Sequence, residues 1–221
     1  MKMSLGACAR IAAILTAATL FSGCASFPGG NNPQIDKLPD KSAFTKRPSI
    51  TLDVKMVAGN PDAATHAENK PGTDLFKGVV DKVTKDSAFF SSYSLDPFKS
   101  KETDYTIKME MLNHGSGGAA AVSGLITGFT LGVIPGAATD HYRLTAKVMD
   151  RQGTVMKSYV INDEVTTWIG IWFIPFMGSS PQVVVPKVWT NMVKNVYQQM
   201  ENDKLLPYAA LPVHEMVAMR F

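Results

Sequence analysis

The chain has 221 residues, with 22 basic against 19 acidic side chains and two cysteines. That length allows one domain with a substantial core, while the near-balanced, unclustered charge argues against a nucleic-acid footprint. Two cysteines are too few for a disulfide-built scaffold, and cleavage before Cys24 would leave only that one, and so no cysteine-based metal or redox centre.

In chain order, the N-terminus comes first. Lys2 and Arg10 make a positive start, Ile11 to Phe21 is an apolar run of 11 residues, and small Ser22 and Gly23 precede Cys24. A charged start, a short apolar core and small residues at the cut describe a secretory signal over residues 1–23, and the run is too short for an ordinary membrane span. Phe21-Ser22-Gly23-Cys24 resembles the lipobox of bacterial lipoproteins, with Phe21 where leucine is commonest. The resemblance implies cleavage before Cys24 and covalent lipid on it. The other reading is a plain signal peptide cut nearby, with Cys24 incidental. Removing 23 residues leaves 198, and the loss of Lys2 and Arg10 leaves 20 basic against 19 acidic side chains, a net charge of +1. Ala25 follows the cysteine where aspartate would imply inner-membrane retention in the lipoproteins it resembles, so the resemblance implies the outer membrane of a Gram-negative envelope. Acyl chains contribute about 0.8 kcal/mol per buried methylene, and stable anchoring needs more than one chain.

Residues 24–48 are rich in Pro, Gly, Asn and Lys with no periodic apolar face, which predicts a flexible lipidated tether spanning on the order of 25–30 Å. From Ser49 the pattern changes. Ile50, Leu52, Val54 and Met56 alternate with polar residues, predicting a strand with one wet face. Thr73 is a candidate cap for a helix whose apolar face is Leu75, Phe76, Val79, Val80 and Val83. Tyr105, Ile107, Met109 and Met111 mark a second strand; Tyr142, Leu144, Ala146 and Val148 a third. Asp150 to Gly153 makes a hairpin turn into a fourth strand, roughly Val155 to Thr166. Val184, Val188, Trp189, Met192, Val193, Val196, Tyr197 and Met200 recur at helical spacing, with Pro181 or Pro186 as the start. The order predicts an α+β fold: a small mainly antiparallel sheet with two helices on one face, over residues 49–203, carrying a glycine-rich apolar hairpin insertion at 115–139. Residues 204–221 read as an extended tail.

The insertion holds no charged residue over 25 positions, and Gly124, Gly128, Gly132 and Gly136 fall four apart. As one helix, these glycines share an edge on which a neighbouring helix packs closely, an arrangement that drives association in lipid. Seven glycines make a weak helix in water, at about 1 kcal/mol each relative to alanine. A glycine-rich surface loop is the plainer reading, opposed by the large aliphatic residues between the glycines. Because the flanking strands share one sheet, the segment is expected to dip into a membrane and return, as two helical arms of about 17 Å or as a β-hairpin. Trp168 to Gly178 is a second uncharged, aromatic stretch, too short to span; Trp168 and Trp172 suit a membrane interface, a buried strand end or an oligomer contact.

This layout resembles TraT-type surface-exclusion lipoproteins and, more loosely, is similar to CsgG-like outer-membrane lipoproteins. The resemblance implies a ring-shaped homo-oligomer in the outer membrane and carries no functional residue across. No catalytic constellation stands out. His66, His114, His141 and His214 have no metal-ligand spacing, the His114-Gly115-Ser116-Gly117-Gly118 loop lacks a G-x-S-x-G partner, and Asp163-Glu164 reads as a solvated turn. The expectation is a non-enzymatic lipoprotein without metal or cofactor beyond the lipid on Cys24. Its partners are membrane lipid, further copies of itself and an envelope protein, not nucleic acid. A periplasmic adaptor whose insertion docks a partner or lipid, and a subunit of a secretion pore, are the alternatives.

Overall fold

The computed structural model describes residues 23–115 and 117–210. The signal-peptide expectation, apart from Gly23, lies outside the described residues, as do Ser116, His214 and Phe221. Nine strands are described: β1 (Gly23–Pro28), β2 (Phe44–Lys46), β3 (Ser49–Ala58), β4 (Ala67–Glu68), β5 (Ser92–Ser94), β6 (Tyr105–Asn113), β7 (Gly136–Met149), β8 (Val155–Gly170) and β9 (Ala209–Ala210). With them go helices α1 (Lys70–Ser87), α2 (Gly117–Phe129) and α3 (Pro181–Asn202), and 3-10 segments at Pro97–Lys101 and Ile171–Ser179. Seven strands form a mainly antiparallel sheet in the order β1-β8-β7-β6-β3-β4, with β5 beside β3; β2 and β9 pair separately.

The chain divides into two compact units. One comprises Gly30–His114, His141–Asp163 and Pro186 onward; the other comprises the chain up to Gly29, Gly115–Asp140 and Glu164–Val185. The first of these is the expected α+β layer. β3 and β6 run parallel from Ile50 opposite Tyr105 to Ala58 opposite Asn113, as a strand–helix–strand crossover requires, and β6 pairs antiparallel with β7. The inward positions read from the sequence hold: Ile50, Leu52, Ile107, Met109, Met111, Leu144, Ala146 and Val148 are fully buried; Thr51 and Thr106, expected on the wet faces, are buried as well. Helices α1 and α3 meet over this layer through Phe76 edge-on to Trp189 (5.8 Å) and a Thr84–Tyr197 hydroxyl pair (2.7 Å).

One helix start differs from the sequence reading for a local reason, and of the two prolines offered for the last helix the first begins it. Helix α1 starts at Lys70, because Asn69 Oδ1 accepts the Gly72 N–H (3.0 Å) and Pro71 occupies the first turn. Thr73 instead accepts the Met56 N–H (2.8 Å), and Leu75 turns outward, its place on the buried face taken by Thr73, Phe76, Val80, Val83 and Thr84. Helix α3 starts at Pro181, with Pro186 inside it.

The largest correction concerns residues 24–48, which are not a free tether. Gly23–Pro28 is strand β1, antiparallel to β8, with Cys24 opposite Ile169 and Ala25, fully buried, opposite Trp168. Beyond Gly29 the chain is irregular but held. The Pro33 carbonyl accepts from Asn191 (3.1 Å) and Asn195 (3.0 Å), the Ile35 N–H donates to Asn191 Oδ1 (2.9 Å), and Lys194 Nζ donates to the carbonyls of Ile35 and Asp36. Leu38 is buried and Lys41 pairs with Glu201. A segment without apolar period can still be fixed by side chains that satisfy its backbone; Asn191, Lys194 and Asn195 stand at i, i+3 and i+4 on one face of α3. The expected extended tail also pairs, since β9 joins β2.

Candidate functional site

The unit that contains Cys24 is built from three stretches, 24–29, 115–140 and 164–185, whose only charged side chains are Asp140 and Glu164 at their ends. It carries most of the large apolar side chains exposed anywhere among the described residues, including Phe27, Val122, Leu125, Ile126, Phe129, Val133, Ile134, Trp172 and Phe176. Single exposed apolar residues are ordinary; a cluster confined to one unit is not.

Helix α2 has 13 residues, so at 1.5 Å per residue it is about 20 Å long, short of the roughly 30 Å of a bilayer core. Among the described residues no helix is long and apolar enough to cross a membrane, which leaves strands aside. At about 100° per residue, Val122, Leu125, Ile126 and Phe129 share one face of α2, Ser123 and Thr127 a second, and Gly124 and Gly128 a third. Phe129 is 85% exposed, whereas Thr127 is buried.

The four-glycine ladder is therefore not one stripe, because the helix ends before its third rung. Gly124 and Gly128 lie on α2, and among the described residues no atom comes within 4 Å of where a Cβ would stand. Leu131 and Gly132 take left-handed conformations (φ 52° and 82°), which end the helix, and Gly132 approaches the Ile171 backbone, where a Cβ would be 3.3 Å from the nitrogen. Gly136 opens β7 against α2: a Cβ there would collide with Thr127 Oγ1 and stand 2.7 Å from Ser123 Oγ. The expected hairpin is thus one helical arm whose return is the start of a strand. Even spacing could not reveal this, since the same period serves a helix edge and a turn.

Cys24 is the second paired residue of β1, at intermediate exposure, and burial pushes the pKa of its thiol above the ordinary value. The two tryptophans part company. Trp168, half-buried on β8, stacks on Phe173 (5.8 Å), while Trp172 is 61% exposed yet donates its indole N–H to the Val133 carbonyl (2.9 Å). Phe27 meets Phe176 edge-on at 6.4 Å.

A further feature was missed from the sequence. Hydroxyls in this unit turn inward: Ser26 bonds Thr167 (2.8 Å), Thr139 bonds Thr166 (2.9 Å), Thr127 donates to the Ser123 carbonyl (2.9 Å) and Ser123 Oγ accepts the Ala137 N–H (2.7 Å). Thr130 donates to the Ile126 carbonyl (3.0 Å) and accepts the Ile134 N–H (3.1 Å). The amides of residues 130–133 bond backward into α2 or its turn, and the Ile171 N–H reaches the Gly132 carbonyl (3.1 Å). The recurring Ser/Thr at 123, 127 and 130 was the available signal.

In the other unit the polar side chains serve the fold. Asp163 is buried within β8, not in a solvated turn, and accepts from Asn32 Nδ2 (3.0 Å). His114 and His141, far apart in sequence, stack at 5.4 Å. Burial, then the charges of His141 and Arg143, lower the pKa of His114. No group of three or more His, Cys, Asp or Glu able to hold a metal occurs among the described residues.

No family model matches the chain, and no curated protein matches it in sequence. Among solved structures, the fold is similar to a minor lipoprotein from Acinetobacter baumannii, 12% identical over 78% of this chain and 98% of that one, with a TM-score of 0.41. It is also similar to a homolog of a neuraminyllactose-binding hemagglutinin from Helicobacter pylori, 8% identical over 85% of this chain and 92% of that one, at 0.40. A PelC dodecamer from Paraburkholderia phytofirmans is 10% identical over 79% of this chain and 94% of that one, at 0.32.

Proposed function

We propose that this protein is a bacterial lipoprotein, acylated on Cys24 and held in the outer membrane, with a structural or interaction role rather than a catalytic one. The observation that carries the reading is Cys24 itself: it follows a charged start, an apolar core and two small residues, and it belongs to the unit where the exposed apolar surface gathers. Copies of the chain associate through the small-residue flank of α2 formed by Gly124 and Gly128, which none of the described residues fills. Gly132 and Gly136 take no part, since each is used within the molecule.

Acylation is read directly by mass spectrometry of the tryptic peptide that begins at Cys24 and by incorporation of a palmitate analogue. Both signals are expected to vanish in Cys24→Ser; an unmodified peptide running through Cys24 from upstream residues in membrane-derived protein would sink the reading. Association is tested with Gly128→Leu, which adds bulk where there is open space and so leaves the fold intact. Native mass and crosslinking in membrane extracts are expected to fall toward monomer, and unchanged assembly would remove the Gly124–Gly128 flank from the account.

A further inference from the structure

We infer that the apolar unit is seated in the surface layer of a lipid bilayer without crossing it. The Val122, Leu125, Ile126 and Phe129 face of α2 points into the acyl boundary, together with Trp172 and Phe176. This adds a second membrane contact to the proposed lipid anchor and does not depend on acylation.

Three independent observations point to lipid rather than to a protein partner. The first is charge: the exposed surface of the three stretches carries none between their ends. Protein interfaces keep a polar rim with about one hydrogen bond per 100–200 Å², and between their ends these stretches have no charged side chain to contribute to such a rim. The second is polar satisfaction. In hydrocarbon every backbone group and hydroxyl must find a partner within the protein, whereas a loop in water has no such need. Here Ser123, Thr127 and Thr130 and the amides that follow α2 all have partners within the segment itself. The third is Trp172, whose ring is exposed while its N–H is held by the Val133 carbonyl. An indole with its polar atom turned into the protein loses nothing on entering lipid.

Depth follows from length. At about 20 Å, α2 cannot reach across the hydrocarbon, and it returns as β7. An apolar face on a short helix, sunk roughly 5–10 Å, is the geometry of interfacial binding. The small-residue flank of Gly124 and Gly128 lies on another face of the same helix, so lipid contact and packing between copies do not compete for the same side chains.

The test uses the unacylated Cys24→Ser chain and neutral phosphatidylcholine vesicles. Expected results are co-flotation with the vesicles that salt does not weaken, and a blue-shifted emission that is absent in Trp172→Phe. Lipids brominated near the headgroup should quench that emission more than lipids brominated near the bilayer centre. Leu125→Asp combined with Phe129→Asp, both at exposed positions, should abolish flotation with an unchanged far-ultraviolet spectrum; Leu125→Ser with Phe129→Ser serves as the milder pair. Failure of the unacylated chain to float, or flotation indifferent to both pairs, overturns the inference. So does a lipid-free oligomer in solution that the same substitutions dissolve, which would assign the face to a second copy. None of these outcomes bears on whether Cys24 is acylated, which is read separately by mass.

Discussion

The two units solve opposite solvation problems with one chain. The α+β unit puts most of its charge outside, with Lys55 on Glu110 (2.6 Å) and Arg151 on Asp104 (2.8 Å), and packs a core mainly of aliphatic, methionine and aromatic side chains within. The unit of Cys24 puts apolar side chains outside and turns its hydroxyls inward. The difference teaches that exposure has to be read together with polar satisfaction. Exposed leucines alone are ordinary; exposed leucines beside hydroxyls that bond within the chain are the combination on which the proposal of a lipid-facing surface rests.

The contrast can be broken most forcefully in the α+β core. Leu144→Ala removes a side chain with no exposure, and denaturant unfolding should show a loss of about 2–5 kcal/mol. A smaller effect, about 1–3 kcal/mol, is expected for Gly136→Val at the start of β7, whose Cβ meets Ser123 and Thr127, whereas Gly128→Leu on α2 should leave the unfolding midpoint in place. If the two glycine variants behave alike, α2 is not packed on β7 as described. Next, Asn69→Ala deletes the α1 cap and should cost about 1 kcal/mol.

Acid gives a weaker probe of the α+β unit. The folded state holds the His114 proton less tightly than the unfolded chain does, because of burial first and then His141 and Arg143. This contribution to stability is therefore complete above the ordinary value of 6.5 and declines as pH falls through it toward the lower folded value. His114→Phe should flatten that slope in unfolding midpoints measured across the window; an unaltered slope removes His114 from the account. The smallest change is expected for Phe129→Ala, at 85% exposure, within about 0.5 kcal/mol in lipid-free solution.

Much of the α+β unit was legible because its strands alternate and its helices repeat at helical spacing, and both periods are consequences of backbone geometry alone. The α1 start was misplaced because Asn69 and Thr73 are both competent caps, and only the demand of the Met56 amide takes Thr73 away. The stretch after Gly29 was misread because its partners, Asn191, Lys194 and Asn195, lie far along the chain on what reads as a polar helix face. The ladder was misread because spacing carries no information about where a helix stops.

What the sequence determined by itself is chemical: a cysteine after a lipobox-like run, stretches without charge, and the alternation that fixes which strand faces are buried. Those properties belong to residue types and near neighbours. Only the tertiary structure decided that the charge-free stretches gather with Cys24 in one unit, that two glycines of the four are used internally, and that the hydroxyls face inward. Each of those depends on contacts between residues distant in the chain, and a hydrogen bond or a close backbone approach leaves no periodic trace in the sequence that makes it.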